Sequence, residues 1–329
     1  MREGRELVGY GMATGIWEGL RVPASARATL APDGTLEIAT ATADIGTGTY
    51  TILTQIGAEM LGLPLDKVKV KIGDSDLPPA PVEGGSWTAA SVGSAVMEAC
   101  DCVRKELLER AGKLKNTPLD GAELADVTFV DGEIRMNGDP SRRLPLSEVL
   151  RGANEPITSE LTSMPDWKTL RRYSHKVHSA VFAEVRLDEV LGMLRVARVV
   201  SAVAAGRILN AKTAHSQVMG AVVGGIGMAL HEETVIDHRY GRFINHNFAE
   251  YHVPVNADIH DIDVIFVDEL ESHLNPLGVK GVGEIGIVGT AAAIANAVYH
   301  ATGVRVRDLP ITIDKLLGLR PPRETASAG

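Results

Sequence analysis

Along the chain, alternating and helical hydrophobic patterns fall in the same order twice. In the first pass, alternating runs at 24–31 and 35–43 flank the turn pair Asp33-Gly34, which predicts a β-hairpin. A Gly46-Thr47-Gly48 turn follows, then apolar residues at helical spacing over about 49–61, stopped by Gly62 and Pro64. A strand at 68–72 completes a β-β-α-β unit. The second pass has strands at 179–187 and 193–203, a turn over 204–212, a helix from about 213 to 233 and a return strand at 263–267. A further helix over 88–111 carries Val92, Val96, Ala99, Val103 and Leu107 at helical spacing and belongs with the first unit. Residues 151–168, with Pro156, Pro165 and several Ser, Thr and Asn, read as the connection between halves. The pattern predicts an α+β protein of two β-β-α-β-type lobes with mixed sheets, spanning 5–155 and 170–318, and a disordered tail at 320–329.

Composition narrows what such a protein does. The 329 residues carry a net charge of −9 with no basic run, which argues against a nucleic-acid partner. No apolar stretch reaches the roughly 18 residues of a membrane span, and residues 1–6 lack the apolar core of a signal peptide. Cys100 and Cys102 lie two apart in a helical pattern and point to different faces, so they form neither a disulfide framework nor a metal knuckle. A cytoplasmic location is expected, or a periplasmic one by export in the folded state with a partner that carries the signal.

The densest chemistry lies at 280–289, where Glu284 sits among Gly281, Gly283, Gly286 and Gly289 just before an Ala-rich helical stretch. Gly281, Gly283 and Gly286 spell the G-x-G-x-x-G pattern of dinucleotide loops, but an anion inside the loop would repel a pyrophosphate. A carboxylate at a helix N-terminus is instead expected to be held ionised by the macrodipole, a state suited to a general base. The plain alternative is an ordinary first-turn helix glutamate. Gly220, Gly224 and Gly227 recur on one face of the second helix, where each costs roughly 1 kcal/mol against alanine; a close neighbour is expected there. Gln217 shares that face, either aimed at a ligand or solvated. The ten histidines show no metal-binding spacing: His231-Glu-Glu lacks a second histidine, and His175 and His178 face opposite sides of a strand. Three turns, at 44–49, 84–91 and 204–213, each precede a helix, and Arg207 and Lys212 add positive charge. If their helix N-termini converge, backbone amides build an anion site for a phosphate-bearing cofactor.

Three motifs taken together resemble the molybdenum hydroxylases, the xanthine dehydrogenase and aldehyde oxidoreductase family: Asp-Ile-Gly-Thr-Gly-Thr at 44–49, Ala-Ala-Gly-Arg-Ile-Leu-Asn-Ala-Lys-Thr at 204–213 with Gln217, and Lys-Gly-Val-Gly-Glu at 280–284. The resemblance runs from about residue 5 to 317 and is greatest to the molybdenum-binding subunits of bacterial periplasmic aldehyde oxidoreductases. It implies the second molybdenum-cofactor-binding domain, with Mo-molybdopterin cytosine dinucleotide held through the pterin dithiolene and no protein metal ligand. Glu284 matches the family's catalytic base. Gly46, Thr47, Gly48, Ala89, Ala90 and Ser91 match cofactor contacts, as do Arg207, Ile208, Leu209, Asn210, Ala211, Lys212, Thr213 and Gln217, and Lys280, Gly281, Val282 and Gly283. Thr47 stands where many xanthine-type members carry glutamine, and Ala204-Ala205 where many carry an Asp-containing turn; both departures favour aldehydes over purines. The activity implied is oxidation of aldehydes to carboxylic acids, with hydroxylation of N-heterocycles, a nicotinamide oxidoreductase and a non-catalytic scaffold half as rivals. Implied partners are the N-terminal half of the molybdenum subunit, in the same or a separate chain, which supplies the other wall of the site and without which these residues are expected to be inactive, and Fe–S and FAD subunits that remove electrons.

Overall fold

The computed structural model describes residues 1–316. The tail expected at 320–329, and the last two residues of the range 170–318, lie outside them.

Both repeats are present. In the first, β1 (Ala24–Leu30) and β2 (Leu36–Ala39) pair antiparallel, α1 (Thr49–Leu61) crosses over, and β3 (Val68–Lys71) returns parallel to β2. Helix α1 opens at Gly48 and closes at Gly62, both left-handed; the Gly62 N–H donates to the Ala58 carbonyl. Helix α2 (Thr88–Gly112) packs across this sheet. In the second repeat, β5 (Lys176–Asp188) and β6 (Leu194–Ala204) pair antiparallel, α3 (Ala211–Leu230) crosses over, and β7 (Asp261–Phe266) returns parallel to β6. Helix α4 (Thr290–Thr302) then lies along this second sheet. Each sheet is therefore mixed, with one parallel strand placed by a helical crossover, and the α+β class expected from the pattern is the class found.

Three features depart from the expected layout. Residues 151–168 are not merely a connection: β4 (Ile157–Ser163) pairs antiparallel with β1, burying Ile157 and Ser163. Its Ser and Thr content reads as loop, yet threonine suits a half-buried strand. Residues Val127–Val130, Glu133–Met136 and Arg143–Pro145 form a small three-stranded sheet that the pattern did not announce. Most consequentially, residues Glu6–Glu18 form a thirteen-residue strand, here called the leading strand, that pairs along all of β5 in the second sheet. The two sheets therefore do not sort along the chain as 5–155 and 170–318.

The larger apolar core joins the first sheet to α1 and α2 through Leu30, Leu36, Ile38, Leu53, Leu61 and Leu107, all fully buried. Each such side chain contributes roughly 1.5–3 kcal/mol by leaving water. Leu274, Leu277 and Val279, from far along the chain, complete that core. They deliver the segment just before Glu284 onto the first unit.

Candidate active site

A cavity of about 300 Å³ opens where four turns meet. The turn before α1 contributes Ile45, Thr47 and Thr49, and the turn before α2 contributes Glu83, Gly84, Ser86, Thr88 and Ala89. From the second unit come Arg207, Ile208, Leu209, Asn210, Thr213 and Gln217 at the start of α3, and the segment 279–284. The three helix-leading turns thus converge, joined by the glycine-rich segment. Two backbone bonds tie the second-unit walls together: Arg207 N–H donates to Gly278 O at 2.7 Å and Lys280 N–H to Ala205 O at 2.9 Å.

The electrostatics differ from those expected. Glu284 lies in the turns before α4, whose N-cap is Gly289, so it is not a first-turn helix residue. Burial pushes its carboxyl above the usual carboxylate range, against weaker lowering by backbone hydrogen bonds from its own amide and that of Gly85. Its Oε2 is buried without a hydrogen-bond partner. Desolvation, rather than the helix macrodipole, is the largest influence on this carboxyl. Nor are the N-termini of α1 and α3 open anion sites. Asp44 takes the amides of the α1 turn, accepting from Gly46 N–H at 2.9 Å, Gly48 N–H at 3.1 Å and Tyr50 N–H at 3.2 Å. Burial works to raise the Asp44 carboxyl, but those amides outweigh it and the carboxyl lies low. At α3 the Asn210 side chain caps Thr213 N–H.

The expected cations are also engaged. Lys280 is buried, donating from Nζ to Glu269 Oε1 and to the Lys176 carbonyl, each at 2.8 Å. Glu269 in turn accepts from Gly206 N–H at 2.8 Å, so this pair pins the 206–209 turn to the 280–284 segment. Arg207 lines the cavity but pairs with Glu59 at 2.8 Å, and Lys212 is exposed outside the lining.

Other candidate residues fall near the cavity without lining it. Gly46 O accepts from Gln217 Nε2 at 3.4 Å, Gly48 packs beside the Thr213 methyl, and Ala211 is exposed at the start of α3. Ala90 and Ser91 turn into the core, where Ser91 Oγ accepts from Val22 N–H at 3.0 Å. The glycine face of α3 is only partly bare: Gly220 meets open space, Gly224 is in ordinary contact with Ile287, and Gly227 is pressed by Glu232 and Pro254 of the same chain. It is Gly225, not that set, that lets α3 approach Thr290 of α4.

Sequence reasoning missed Glu83 and Ser86. Glu83 Oε1 accepts from Ala43 N–H at 2.5 Å and Thr42 Oγ1 at 2.9 Å, holding the turn before α1. Ser86 sits at φ 59°, left-handed, which costs a residue with a side chain roughly 1–2 kcal/mol. Its signal was the Gly84-Gly85-Ser86 run ahead of a helix.

Two mixed sheets with a cleft of turns between them, lined by the carboxyls of Glu83 and Glu284, define an α+β protein with a pocket suited to a small molecule. The model of the molybdopterin cofactor-binding domain matches residues 1–260. The chain is 44% identical over 321 residues to the aldehyde oxidoreductase molybdenum-binding subunit PaoC of Escherichia coli O157:H7, covering 98% of this chain and 42% of that subunit. It is 29% identical over 293 residues to the 6-hydroxypseudooxynicotine dehydrogenase complex subunit gamma of Paenarthrobacter nicotinovorans, covering 86% of this chain and 36% of that one. Quinoline 2-oxidoreductase from Pseudomonas putida 86 shares the fold with a TM-score of 0.85 at 24% identity, over 96% of this chain and 42% of that one. The chain belongs to the molybdopterin cofactor-binding domain family. It spans less than half the length of the curated relatives it matches.

The residues present fit such a group. Gly281 and Gly283 leave backbone facing the cleft, and the unpartnered Oε2 of Glu284 is a polar atom whose burial calls for a ligand partner. A cavity of about 300 Å³ is at the small end for ligand sites, enough for one ring system rather than a whole dinucleotide. Among the described residues no helix is long and apolar enough to cross a membrane.

Proposed function

We propose that this chain is the second cofactor-binding half of the molybdenum-binding subunit of an aldehyde oxidoreductase, oxidising aldehydes to carboxylic acids. The observation that carries the reading is Glu284: a desolvated carboxyl at the cleft with its Oε2 unpartnered, in a chain 44% identical to such a subunit. When bound, the cofactor, read as the cytosine dinucleotide form, supplies a Lewis-acidic metal and a two-electron acceptor. The chain's residues do the rest. Thr47, Ala89, Asn210, Thr213 and Gln217, with the 280–283 backbone, would hold the pterin side of the group. Glu284 accepts a proton at a carboxylate oxygen and is made more basic by its dry setting.

The conversion takes one water and one aldehyde to one acid, two protons and two electrons. The electrons leave through Fe–S and FAD partner subunits. The opposite wall of this small cavity is assigned to the N-terminal half of the molybdenum subunit, in the same or a separate chain, and these residues alone are expected to be inactive. N-heterocycle hydroxylation ranks below aldehyde oxidation because likeness is 30% to a nicotine 6-hydroxylase large subunit and 28% to xanthine dehydrogenase molybdenum-binding subunits, against 44% to the aldehyde oxidoreductase subunit.

The test is Glu284→Gln in the assembled enzyme. Turnover should fall by roughly the 10²–10⁴-fold of general-base removal while molybdenum content holds. Near-normal turnover removes Glu284 from the chemistry. A wild-type assembly that is fully loaded yet oxidises neither aldehydes nor N-heterocycles would leave the scaffold reading.

A further inference from the structure

Ser86 adopts a backbone conformation that glycine enters without strain, and its neighbour Gly85 has the same φ of 59°. The one thing serine offers there that glycine does not is its hydroxyl. That oxygen accepts the Glu284 N–H at 3.1 Å. Gly281 closes the same contact from below: a Cβ there would overlap the Ser86 carbonyl oxygen, so the two turns touch backbone to backbone. A Cβ on Gly283 would lie 3.1 Å from Ser86 Oγ. The turn itself is anchored independently of Ser86, because Trp87 Nε1 donates to Val82 O at 2.7 Å and Trp17 Nε1 reaches Gly85 O at 3.4 Å. Ser86 is thus a strained wedge between two segments nearly two hundred residues apart, and its hydroxyl fixes the peptide that carries Glu284.

We infer that Ser86 is the positioning residue for Glu284, its left-handed backbone and hydroxyl holding that carboxyl at the dry edge of the cleft. The inference rests on the proposed role of Glu284 for its functional weight, but its physical content is separate. The other charged groups around the cleft are Glu83 on the same turn, Arg207 paired with Glu59, and Lys280 paired with Glu269 behind the segment. None makes a salt bridge to Glu284 among the described residues. Its setting therefore depends on where the backbone places it.

The experiment compares Ser86→Gly and Ser86→Ala with wild type in the full chain, in whatever assembly keeps it soluble. Thermal midpoints are measured with and without Glu284→Gln, at intervals between about pH 4 and 8. A carboxyl raised by folding stabilises the protein below its unfolded value, near about 4.3, and that stabilisation is lost as pH rises through the folded value. Gln mimics the protonated form, so the advantage of Glu284→Gln should grow as pH rises through that window. In the Ser86→Gly background the growth should shift to lower pH and shrink, because a freed Oε2 reaches water. The wild-type profile unchanged in both Ser86 backgrounds would overturn the inference, even with a lower midpoint, since a purely structural serine moves stability without moving this titration. In the loaded enzyme, Ser86→Gly should lower kcat with KM and molybdenum content held; a KM effect alone would also count against it. If the profile shifts but Glu284→Gln stays active, the positioning stands and the base assignment falls. The reverse pair of results keeps the base and removes Ser86.

Discussion

Gln217 donates from Nε2 to Gly46 O at 3.4 Å, which is long for an amide hydrogen bond and leaves most of its capacity for a ligand. Replacing it with alanine should lower molybdenum and pterin content per folded chain while moving stability by no more than about 0.5 kcal/mol. Arg207→Ala should have a smaller effect on occupancy, since its guanidinium is engaged by Glu59 in an exposed pair of little energetic weight. Metal analysis of identically expressed variants decides, and full occupancy in Gln217→Ala returns that residue to the solvated surface. At this scale the sequence located residues better than it read their states. Glycines around Glu284 mark it as special, but nearness to an Ala-rich helix suggests a carboxyl governed by the helix dipole, where burial is the larger influence. The turns at 283–289 lie between Glu284 and the first turn of α4. Asp44 likewise stands out in the sequence only as part of a motif, although it is the anion that the α1 turn binds.

Among the elements, α4 and the leading strand meet in close backbone contact. A Cβ on Gly9 or Gly11 would overlap carbonyl oxygens of Ala297 and Ala293, and one on Gly15 that of Val288. Alternate glycines and an alanine-lined helix thus bring backbone against backbone, where dispersion contacts are dense. Gly11→Ala should therefore destabilise by at least the roughly 1–3 kcal/mol of core overpacking. Gly138→Ala, which meets nothing within 4 Å, should change little and serves as the control. Thermal unfolding of the two variants checks this; equal midpoints would mean that the helix yields. The hairpins and both crossovers were legible because period-2 and period-3.6 patterns are local. The leading strand was not, because glycine in a strand reads as a weakness until its partner helix is known.

For the whole molecule, the binding cleft depends on an exchange between the two units. The first unit's core is finished by Leu274, Leu277 and Val279, and the second unit's sheet by residues 6–18. No local pattern encodes such an exchange, which is why the expected division at 155–170 misses it. A chain that begins after residue 20 should lose the strand pairing the whole of β5 and the surface against which α4 packs. It is expected to aggregate or unfold non-cooperatively, and a peptide covering residues 1–20 added during refolding should restore a cooperative transition. Cooperative unfolding of the shortened chain without the peptide would show that the leading strand is dispensable. The same pairing sets a clock on synthesis. The leading strand is made first, but its partner begins only at Lys176, 158 residues after Glu18. At about 5–20 residues per second, roughly 8–30 s pass with Tyr10, Met12 and Ile16 on an unpaired strand. Slower translation through the first unit therefore lengthens the time in which a nascent chain has two open edges and nothing yet to close them, so yield should depend on elongation rate and holdase supply as much as on the stability of the finished fold.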